Sequence, residues 1–267
     1  MSAPDATNKV RGVLESLAMP EDQIVFAHVR LKGLCVGESY QRLARRLLEE
    51  INDLYRPKTI LVPTFTYRFT DTGFYDRRNT PSEVGRFGEE IRRMHSFRLR
   101  TMNPVFSVVD TNGYFTLCRI DETTAFGPDS LMEILSTRNY VILNINLPHL
   151  MSTHLHYLEY LHGVDYRLEK TFPGVVSSDG RDAQEIQYRY FIRDDDRDTR
   201  WRRDKVQRFL TGEEVLSVGG YDGIHSSWMY SRELERHLGA KLDEDPQFMI
   251  TDERNAPSSD LSQRVSS

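Results

Sequence analysis

The strongest constraint on the fold is a strand, a helix and a second strand that follow one another near the start of the chain. Residues 24–29 (IVFAHV) form an apolar run rich in β-branched side chains, and residues 58–62 (KTILV) form another. In the segment between them, apolar side chains recur at helical spacing, at Leu43, Leu47, Leu48, Ile51 and Leu54. This order predicts a parallel βαβ unit. Phosphate-bearing ligands favour the loop after the first strand of such a unit, here the segment from His28 to Gly37.

Periodicity and turn signals divide the remaining sequence into helices and strands. Helices are predicted at 5–19, 85–95, 129–136, 203–211 and 228–238, and strands at 105–109, 114–119, 140–145, 185–193 and 215–219. Asn112 and Gly113, a pair typical of tight hairpins, join the first two of these strands. Residues 64–78 have no clean period and predict a long loop, which in a compact domain is usually functional. We expect one domain over residues 1–250 and a disordered tail over residues 251–267.

Length and composition exclude several classes of protein. A chain of 267 residues with 39% hydrophobic and 28% charged side chains can bury a full core, which excludes disorder for most of its length. Its net charge of −5 disfavours a general nucleic-acid binder. No run reaches the roughly 18 to 20 apolar residues of a membrane helix, and the first residues lack the apolar core of a secretory signal, so we expect a cytoplasmic protein without a membrane partner. Cys35 and Cys118 are too few for a disulfide framework and are predicted to be buried free thiols, although two cysteines can still form one bridge.

A histidine-rich segment downstream of the strand at 140–145 carries the clearest chemical signal. If a helix begins at Ser152 or Thr153, His156 and Glu159 are three residues apart and lie on one face. A carboxylate beside an imidazole raises its basicity and fixes its orientation, which suits a general base. The same spacing is typical of an ordinary hydrogen-bonded pair, so the spacing alone leaves both interpretations open.

The same segment also offers imidazole and carboxylate groups to a metal ion. The candidates are His149, His154, His156, Glu159 and His162. They lack the His-Glu-x-x-His arrangement of zinc proteases, and His154 and His156 point to different sides of a helix. We therefore assign the cluster to base chemistry and packing, and expect no metal.

Several short motifs, taken together, resemble one known family. They are Pro63-Thr64-Phe65-Thr66-Tyr67; Asn79-Thr80-Pro81-Ser82 with Gly85; Arg100-Thr101 with Asn103-Pro104 and Ser107; Phe126-Gly127 with Ser130; Thr153-x-x-His156-x-x-Glu159; and Val164-Asp165-Tyr166-Arg167. In order and spacing they are similar to those of the aminoglycoside 3-N-acetyltransferase (antibiotic N-acetyltransferase) family, and most similar to members encoded with surface-polysaccharide genes. The resemblance covers about residues 24–175 well and the remainder loosely.

The resemblance implies both a fold and a reaction. The fold is α/β, a three-layer α/β/α sandwich with a mixed, largely parallel central sheet. The reaction transfers an acyl group from acyl-coenzyme A, with acetyl-CoA as the expected donor, to an amine. By the same resemblance His156 is the base, Glu159 supports it, and Thr153 lies near the thioester, where its hydroxyl can stabilise an oxyanion. The alternative role of Thr153 is that of a helix cap.

The family motifs also assign binding residues. Those for the donor are His28, Arg30, Leu31, Gly37, Ser82, Arg100 and Ser107, and those for the acceptor are Thr64, Tyr67, Tyr166 and Arg167. The loop after the first strand departs from the family pattern, because His28-Val29-Arg30-Leu31 replaces His-Ser-Ser-Leu and Gly37-Glu38 replaces a Gly-Gly pair. Either Arg30 takes the place of a lost hydroxyl as a phosphate ligand, or donor binding is weakened or lost. For His28 itself, a buried and hydrogen-bonded core position is the favoured interpretation.

These inferences favour an acyl-CoA-dependent N-acyltransferase that acylates the amino group of an amino sugar, free or linked to a nucleotide, for a bacterial surface glycan. A mild net charge and arginine-rich motif regions suit an anionic acceptor better than a polycationic aminoglycoside, whose enzymes usually have acidic pockets. Acetylation of aminoglycosides is one alternative, and a non-catalytic sugar- or nucleotide-binding member of the same fold is another. The expected partner is the small-molecule acceptor, and a homo-oligomer is compatible with this prediction.

Overall fold

The computed structural model describes residues 6–34, 37–194, 196 and 198–251. The strands, in chain order, are β1 (Ile24–Val29), β2 (Thr59–Pro63), β3 (Phe74–Asp76), β4 (Val108–Asp110), β5 (Val141–Ile145), β6 (Arg167–Ser177), β7 (Gln184–Arg193), β8 (Ser217–Tyr221) and β9 (Ile224–Tyr230). The helices are α1 (Ala6–Glu15), α2 (Tyr40–Tyr55), α3 (Phe69–Thr72), α4 (Gly85–Met94), α5 (Leu131–Ser136), α6 (His154–Leu161), α7 (Arg203–Gly212), α8 (Ser231–Leu234) and α9 (Ala240–Glu244). A π-helical turn (Glu235–Gly239) joins the last two helices.

The central sheet confirms the predicted α/β fold. Its six strands lie in the order β4-β2-β1-β5-β9-β8. β1 pairs in parallel with both β2 and β5, as the βαβ prediction requires, whereas β4, β9 and β8 are added antiparallel at the two sides. The sheet is therefore mixed and is parallel at its centre. The carboxyl ends of β1, β2 and β5 meet at one edge, which is where α/β proteins place their ligands.

Helices cover both faces of this sheet and give the three layers that the resemblance implied. On one face, α1, α2 and α4 enclose a core that contains Leu47 and Phe87 together with Val25 of β1. On the other face, α5, α6, α7 and the C-terminal helices enclose a core that contains Leu158 together with Phe26 of β1. Adjacent residues of β1 enter different cores because successive side chains of a strand point to opposite faces.

Local sequence accounts for α2, the helix of the βαβ unit. Oγ of Ser39 accepts the backbone N–H of Arg42 at 3.3 Å and so caps the first turn. The buried residues are Leu43, Ala44, Leu47, Leu48, Ile51 and Tyr55, close to the predicted apolar stripe. Arg56, in the left-handed region with φ +43°, ends the helix.

A smaller sheet, in the order β3-β6-β7, is joined to the second core. β7 matches the predicted strand at 185–193, and β3 lies inside the segment predicted as a loop at 64–78. β6 is not predicted, because its sequence RLEKTFPGVVS carries several charges and a proline instead of an apolar alternation. Continuous antiparallel pairing with β7, from Arg167 opposite Arg193 to Val176 opposite Gln184, holds it as a strand.

The predicted hairpin around Asn112 and Gly113 is wrong. β4 is short and pairs with β2, and residues 114–119 form turns and irregular chain. Oδ2 of Asp110 accepts the backbone N–H of Phe115 at 2.7 Å, which folds the chain back before a ladder can form.

The predicted helix at 228–238 is wrong in its first residues. Ile224–Tyr230 is strand β9, which forms an antiparallel hairpin with β8, and the helix begins only at Ser231. Asp222 and Gly223 make the two-residue turn with φ +48° and +76°. β9 is a strand because it pairs with β5 as well as with β8.

The other predicted elements agree with the structure within a few residues. The helices predicted at 5–19, 85–95, 129–136 and 203–211 correspond to α1, α4, α5 and α7. Cys118 is a free thiol but only half-buried, whereas Cys35 and residues 252–267 of the predicted tail lie outside the described residues. Over the described ranges, no helix combines the length and the apolar character needed to cross a membrane.

Candidate active site

A cavity of about 530 Å³ opens at the carboxyl ends of β1 and β2 and beside the end of β5. The loop after β1 and the first turns of α4, α6 and α7 complete its walls. Gly88 lets α4 approach β2 closely, since a Cβ at this position would lie 2.2 Å from the carbonyl oxygen of Pro63. A cavity of this size accommodates a small organic ligand.

The predicted pair of His156 and Glu159 forms in α6. Nδ1 of His156 lies 3.3 Å from Oε2 of Glu159. The imidazole also faces the cavity and packs beside Trp201, with 4.4 Å between the ring centroids. With a proton on Nδ1 held by the carboxylate, Nε2 is the nitrogen that can accept a proton from a ligand.

Glu159 is completely buried and is held by three side chains. Nε1 of Trp201 donates to Oε1 at 2.6 Å, and Nε of Arg167 lies 2.5 Å from Oε2, the oxygen that also faces His156. Burial alone raises the pKa of Glu159, but His156, Arg167 and Trp201 outweigh burial and hold the pKa below its ordinary value. The carboxylate is therefore ionised at neutral pH and can stabilise an imidazolium beside it.

The environment of His156 keeps its imidazole in the basic form. Burial lowers the pKa of His156, and the hydrogen bond to Glu159 opposes this shift only in part. The ring is consequently neutral at pH 7. A neutral imidazole can accept a proton, as the predicted role of general base requires.

Thr153 is not the side-chain cap of α6. Oγ of Ser152 accepts the backbone N–H of His154 at 3.1 Å, whereas the Thr153 side chain makes no capping hydrogen bond. Within the described part of the chain, Oγ1 of Thr153 is buried and has no hydrogen-bond partner. Buried hydroxyls are almost always satisfied, and Thr153 lines the cavity with His156, so its hydroxyl is free to donate to a ligand.

Positive charges line the cavity. Arg30, Lys32, Arg86, Arg193 and Arg203 all contribute to the wall, and none of the described lining residues is Asp or Glu. These side chains fit the phosphates of a coenzyme or of a nucleotide. The sequence singles out Arg30 alone. Lys32 lies two residues further along the same loop, whereas Arg86, Arg193 and Arg203 belong to separate segments that only the fold brings together.

A family model described as aminoglycoside 3-N-acetyltransferase matches residues 48–238. The chain belongs to this family. Membership in the aminoglycoside 3-N-acetyltransferase family makes the chain an N-acetyltransferase with acetyl-CoA as its donor, as the resemblance implied. The match continues well beyond residue 175, where the motif resemblance becomes loose. No curated protein sequence matches the chain.

Solved structures share the fold of this family member. Aminoglycoside acetyltransferase AAC(3)-IVa, as apoenzyme, is 13% identical, with 94% of this chain and 93% of that chain covered and a TM-score of 0.69. The YokD protein from Bacillus subtilis is 16% identical, with 91% and 100% covered and a TM-score of 0.68. AAC-IIIb, in its binary complex with CoASH, is 14% identical, with 89% and 96% covered and a TM-score of 0.69. At these identities the likeness concerns the fold.

The donor residues assigned by the family motifs are divided between the cavity and its surroundings. His28, Arg30 and Leu31 line the cavity, whereas Gly37, Ser82, Arg100 and Ser107 do not. His28 differs from the expected hydrogen-bonded core residue, since its Nε2 is buried without a hydrogen-bond partner among the described residues. Burial lowers the pKa of His28 to about 3. Its ring is therefore neutral, and Nε2 is available to a ligand.

Arg100 is the centre of a buried network next to the cavity. Its guanidinium donates to the carbonyl oxygens of Thr80 at 2.6 Å, Arg77 at 3.1 Å and Thr64 at 2.7 Å, and to Oγ of Ser107 at 3.2 Å. These contacts leave little of the guanidinium for a coenzyme phosphate. The network joins the segments after β2 and β3 to that before β4, and so fixes the loop on which Thr64 lies.

The proposed acceptor residues also differ in position. Tyr67 lines the cavity and is 40% exposed, which suits contact with a ligand. Tyr166 and Arg167 are buried, interact with Glu159 and do not line the cavity. Burial, followed by the charge of Glu159, raises the pKa of Tyr166. Arg167 holds the carboxylate of Glu159, which is a positioning contact.

The histidines of the predicted cluster contact different partners in the folded chain. Nδ1 of His154 lies 2.8 Å from the hydroxyl of Tyr140 and its Nε2 lies 2.8 Å from Oε1 of Glu235, while His162 pairs with Asp243 at 2.7 Å. In the described ranges, no three His, Cys, Asp or Glu side chains converge on a point that could hold a metal ion.

Trp201 is a site residue that sequence reasoning missed. It lies in the run of charged residues at 193–203, a pattern that is typical of a solvated turn or helix face. Its indole nevertheless binds Glu159 and packs on His156. The only signal in the sequence is an aromatic side chain inside a dense run of charges. Its role depends on a contact 42 residues away along the chain, which no local pattern encodes.

Proposed function

We propose that this N-acetyltransferase acetylates the amine of a small amino sugar that carries negative charge, such as one linked to a nucleotide, with His156, Glu159 and Thr153 as its working groups. The observation that carries the proposal is a single cavity that combines the free nitrogen of His156, the unpartnered hydroxyl of Thr153 and a lining of cations.

His156 supplies the step that an amine requires. A sugar ammonium has no free electron pair, so Nε2 of His156 first accepts a proton from it, and the neutral amine then attacks the thioester carbonyl carbon. A C–N bond forms and the C–S bond breaks. Of the two protons that the ammonium nitrogen loses in total, one is passed by the imidazole to the leaving thiolate and the other is released to solvent. Glu159 stabilises the positive ring while the proton is held.

Thr153 acts on the oxygen that becomes negative. The hydroxyl has no other partner, and it can donate to the developing oxyanion without giving up a hydrogen bond of the resting protein. A hydrogen-bond donor that is already positioned and shielded from water stabilises an oxyanion more than a solvated donor does, because it need not reorganise during the reaction.

The loop after β1 is suited to the phosphates of the donor. Nδ2 of Asn146 donates to the carbonyl oxygens of Arg30 at 2.9 Å and Lys32 at 3.0 Å, which fixes the backbone that carries both cations. This arrangement supports the proposal that Arg30 replaces the serine hydroxyls of the family pattern.

Charge favours an anionic acceptor over a polycation. The described lining residues include no carboxylate, and their charged side chains are Arg30, Lys32, Arg86, Arg193 and Arg203. An acceptor with several ammonium groups would therefore be repelled by these cations, with no carboxylate of the lining to attract it. A nucleotide-linked sugar has one reactive amine and two phosphates, which match this lining.

An aminoglycoside is the second candidate acceptor. Structural neighbours were solved with gentamicin in AAC(3)-IVa and with sisomicin in AAC-VIa, at 14% and 16% identity. The family name supports the same acceptor class. A non-catalytic role has less support, because His156 and Glu159 of α6 make the expected contact and Thr153, just before α6, has a hydroxyl without a partner among the described residues.

A thiol-release assay with acetyl-CoA tests the proposal. We expect turnover with uridine diphosphate-linked amino sugars and little with gentamicin or sisomicin. His156→Ala should lower kcat by roughly a hundredfold to ten-thousandfold, the usual worth of a general base. His225→Ala, at an exposed histidine outside the cavity lining, is the matched control and should be unchanged. A His156→Ala enzyme within threefold of wild type would remove His156 from the mechanism.

A further inference from the structure

A second cavity lies next to the proposed active site and shares part of its wall. Its volume is about 450 Å³, and its lining residues are His149, Arg193, Arg200, Trp201, Arg203 and Asp204. Arg193, Trp201 and Arg203 also line the first cavity, so these three residues belong to the walls of both cavities. The second cavity is not used by the base, the oxyanion donor or the loop after β1.

The two shared arginines differ from the other cations of this segment. Arg200 and Arg202 are held by Asp198 at 2.9 Å and 3.3 Å. In contrast, Arg193 and Arg203 form no ion pair or side-chain hydrogen bond with any described residue. Among the described residues of this segment, the two arginines that both cavities share are therefore those without an acidic partner.

Trp201 places these charges beside the reacting centre. Its ring packs at 4.4 Å from that of His156, and its Nε1 is fixed on Glu159 at 2.6 Å. The tryptophan cannot rotate without breaking the Glu159 contact. A negative group held by Arg193 or Arg203 is consequently one aromatic side chain away from the amine that His156 deprotonates.

The cations of the first cavity fall into two groups on different elements. Arg30, Lys32 and Arg86 come from the loop after β1 and from α4, whereas Arg193 and Arg203 come from the end of β7 and the start of α7. A two-substrate transferase must hold two ligands at once, and each ligand here would bring its own phosphates. One group alone reaches the second cavity.

We infer that Arg193 and Arg203 form a diphosphate subsite for the acceptor, and that the second cavity receives the nucleoside attached to that diphosphate. This inference rests on the proposed function and deepens it. It assigns recognition of the acceptor to a segment outside the family motifs, and explains why two unpaired guanidinium groups face the same space as His156. Asp204, the one carboxylate among the described residues that line this cavity, pairs with Arg208 at 3.0 Å and opposes anion binding.

Calorimetric titration of uridine diphosphate into the protein saturated with coenzyme A tests the inference. Saturation occupies the donor site, so binding of the diphosphate must occur elsewhere. We expect binding to the wild type, with affinity reduced about tenfold or more in Arg193→Gln and in Arg203→Gln, as expected for the loss of a hydrogen bond between charged groups. Asp204→Asn should bind more tightly, because it removes a negative charge from the wall.

The controls separate this inference from its alternatives. Arg119→Gln, at an exposed arginine outside both cavities, should bind uridine diphosphate like the wild type, and retained coenzyme A binding verifies that each variant is folded. Competition between uridine diphosphate and coenzyme A would assign the two arginines to the donor and overturn the inference, as would no binding at millimolar concentration. Diphosphate binding without acetylation of any amine would instead contradict the proposed function and leave the subsite in place.

Discussion

Among single residues, Thr153 is one whose proposed catalytic role and contribution to stability can be measured independently. Its buried hydroxyl has no partner among the described residues, so it contributes a desolvation cost and no hydrogen bond to the fold. We expect Thr153→Val to lower kcat by about a hundredfold or more, the usual worth of an oxyanion donor. The same substitution should leave the free energy of unfolding unchanged or raise it by up to about 1 kcal/mol.

Steady-state kinetics and urea unfolding of the same samples check this expectation. Thr153→Ser retains the hydroxyl and serves as the matched control, with most of the activity preserved. A valine variant that is fully active would show that the hydroxyl does not face the reacting oxygen. A variant that is both inactive and strongly destabilised would indicate a structural role instead.

Arg30 is proposed to bind a phosphate of the donor. If its guanidinium binds a donor phosphate, Arg30→Ala should raise the KM for acetyl-CoA about tenfold or more, in line with the roughly 1.5 to 3 kcal/mol of a hydrogen bond between charged groups. The KM for the acceptor should barely change. Arg45→Ala, at an exposed arginine of α2 outside the cavity, should alter neither constant. Equal changes in both constants for Arg30→Ala would place Arg30 outside the donor site.

At the scale of secondary-structure elements, the contact between α4 and β2 forms one wall of the active-site cavity. Gly88 permits this contact, since a Cβ there would lie 2.2 Å from the carbonyl oxygen of Pro63, a backbone atom that cannot move aside cheaply. We expect Gly88→Ala to lower the free energy of unfolding by about 1 to 3 kcal/mol, as overpacking does. The added methyl group should also displace α4 or β2, which both line the cavity, so activity should fall as well.

A second helical glycine provides the comparison. Gly212 ends α7, and a Cβ there would meet nothing within 4 Å. Gly212→Ala should therefore raise the free energy of unfolding by about 0.4 to 1 kcal/mol, because it restricts the unfolded chain. Urea denaturation of the two variants checks the opposite signs. Equal effects would mean that helix propensity, and not the Pro63 contact, determines the result at Gly88.

At the scale of the whole molecule, buried histidines couple stability to pH. Burial lowers the pKa of His28 to about 3 in the folded protein, and that of His156 is shifted in the same direction. In the unfolded chain a histidine has a pKa of about 6.5, so below this pH the unfolded state binds more protons than the folded state. The contribution of His28 to the free energy of unfolding is therefore fully present above about pH 6.5 and is lost as the pH falls toward 3.

We expect His28 to contribute a slope of about 1.4 kcal/mol per pH unit within that window. Urea unfolding between pH 4.5 and 7.5, for the wild type and for His28→Gln, measures the contribution of His28. The variant should have a shallower pH dependence than the wild type. Identical pH dependences would mean that the pKa of His28 is the same in the folded and the unfolded protein.

Elements with local signals can be predicted from the amino-acid sequence. The βαβ unit around α2 follows from two apolar runs and an amphipathic stripe, and the pairing of His156 with Glu159 follows from the helical period. Even the hairpin of β8 and β9 has its turn signal in Asp222 and Gly223, although residues 228–238 are predicted to be helical.

Features that join distant segments depend on the tertiary structure and have no local signal in the sequence. β6 is a strand because β7 pairs with it, and Trp201 supports Glu159 because the charged run folds over α6. The cationic lining combines side chains from Arg30 to Arg203, whose common location no periodicity records. Period and turn chemistry act over a few residues, whereas strand pairing, burial and the convergence of charges depend on which segments the folded chain brings together.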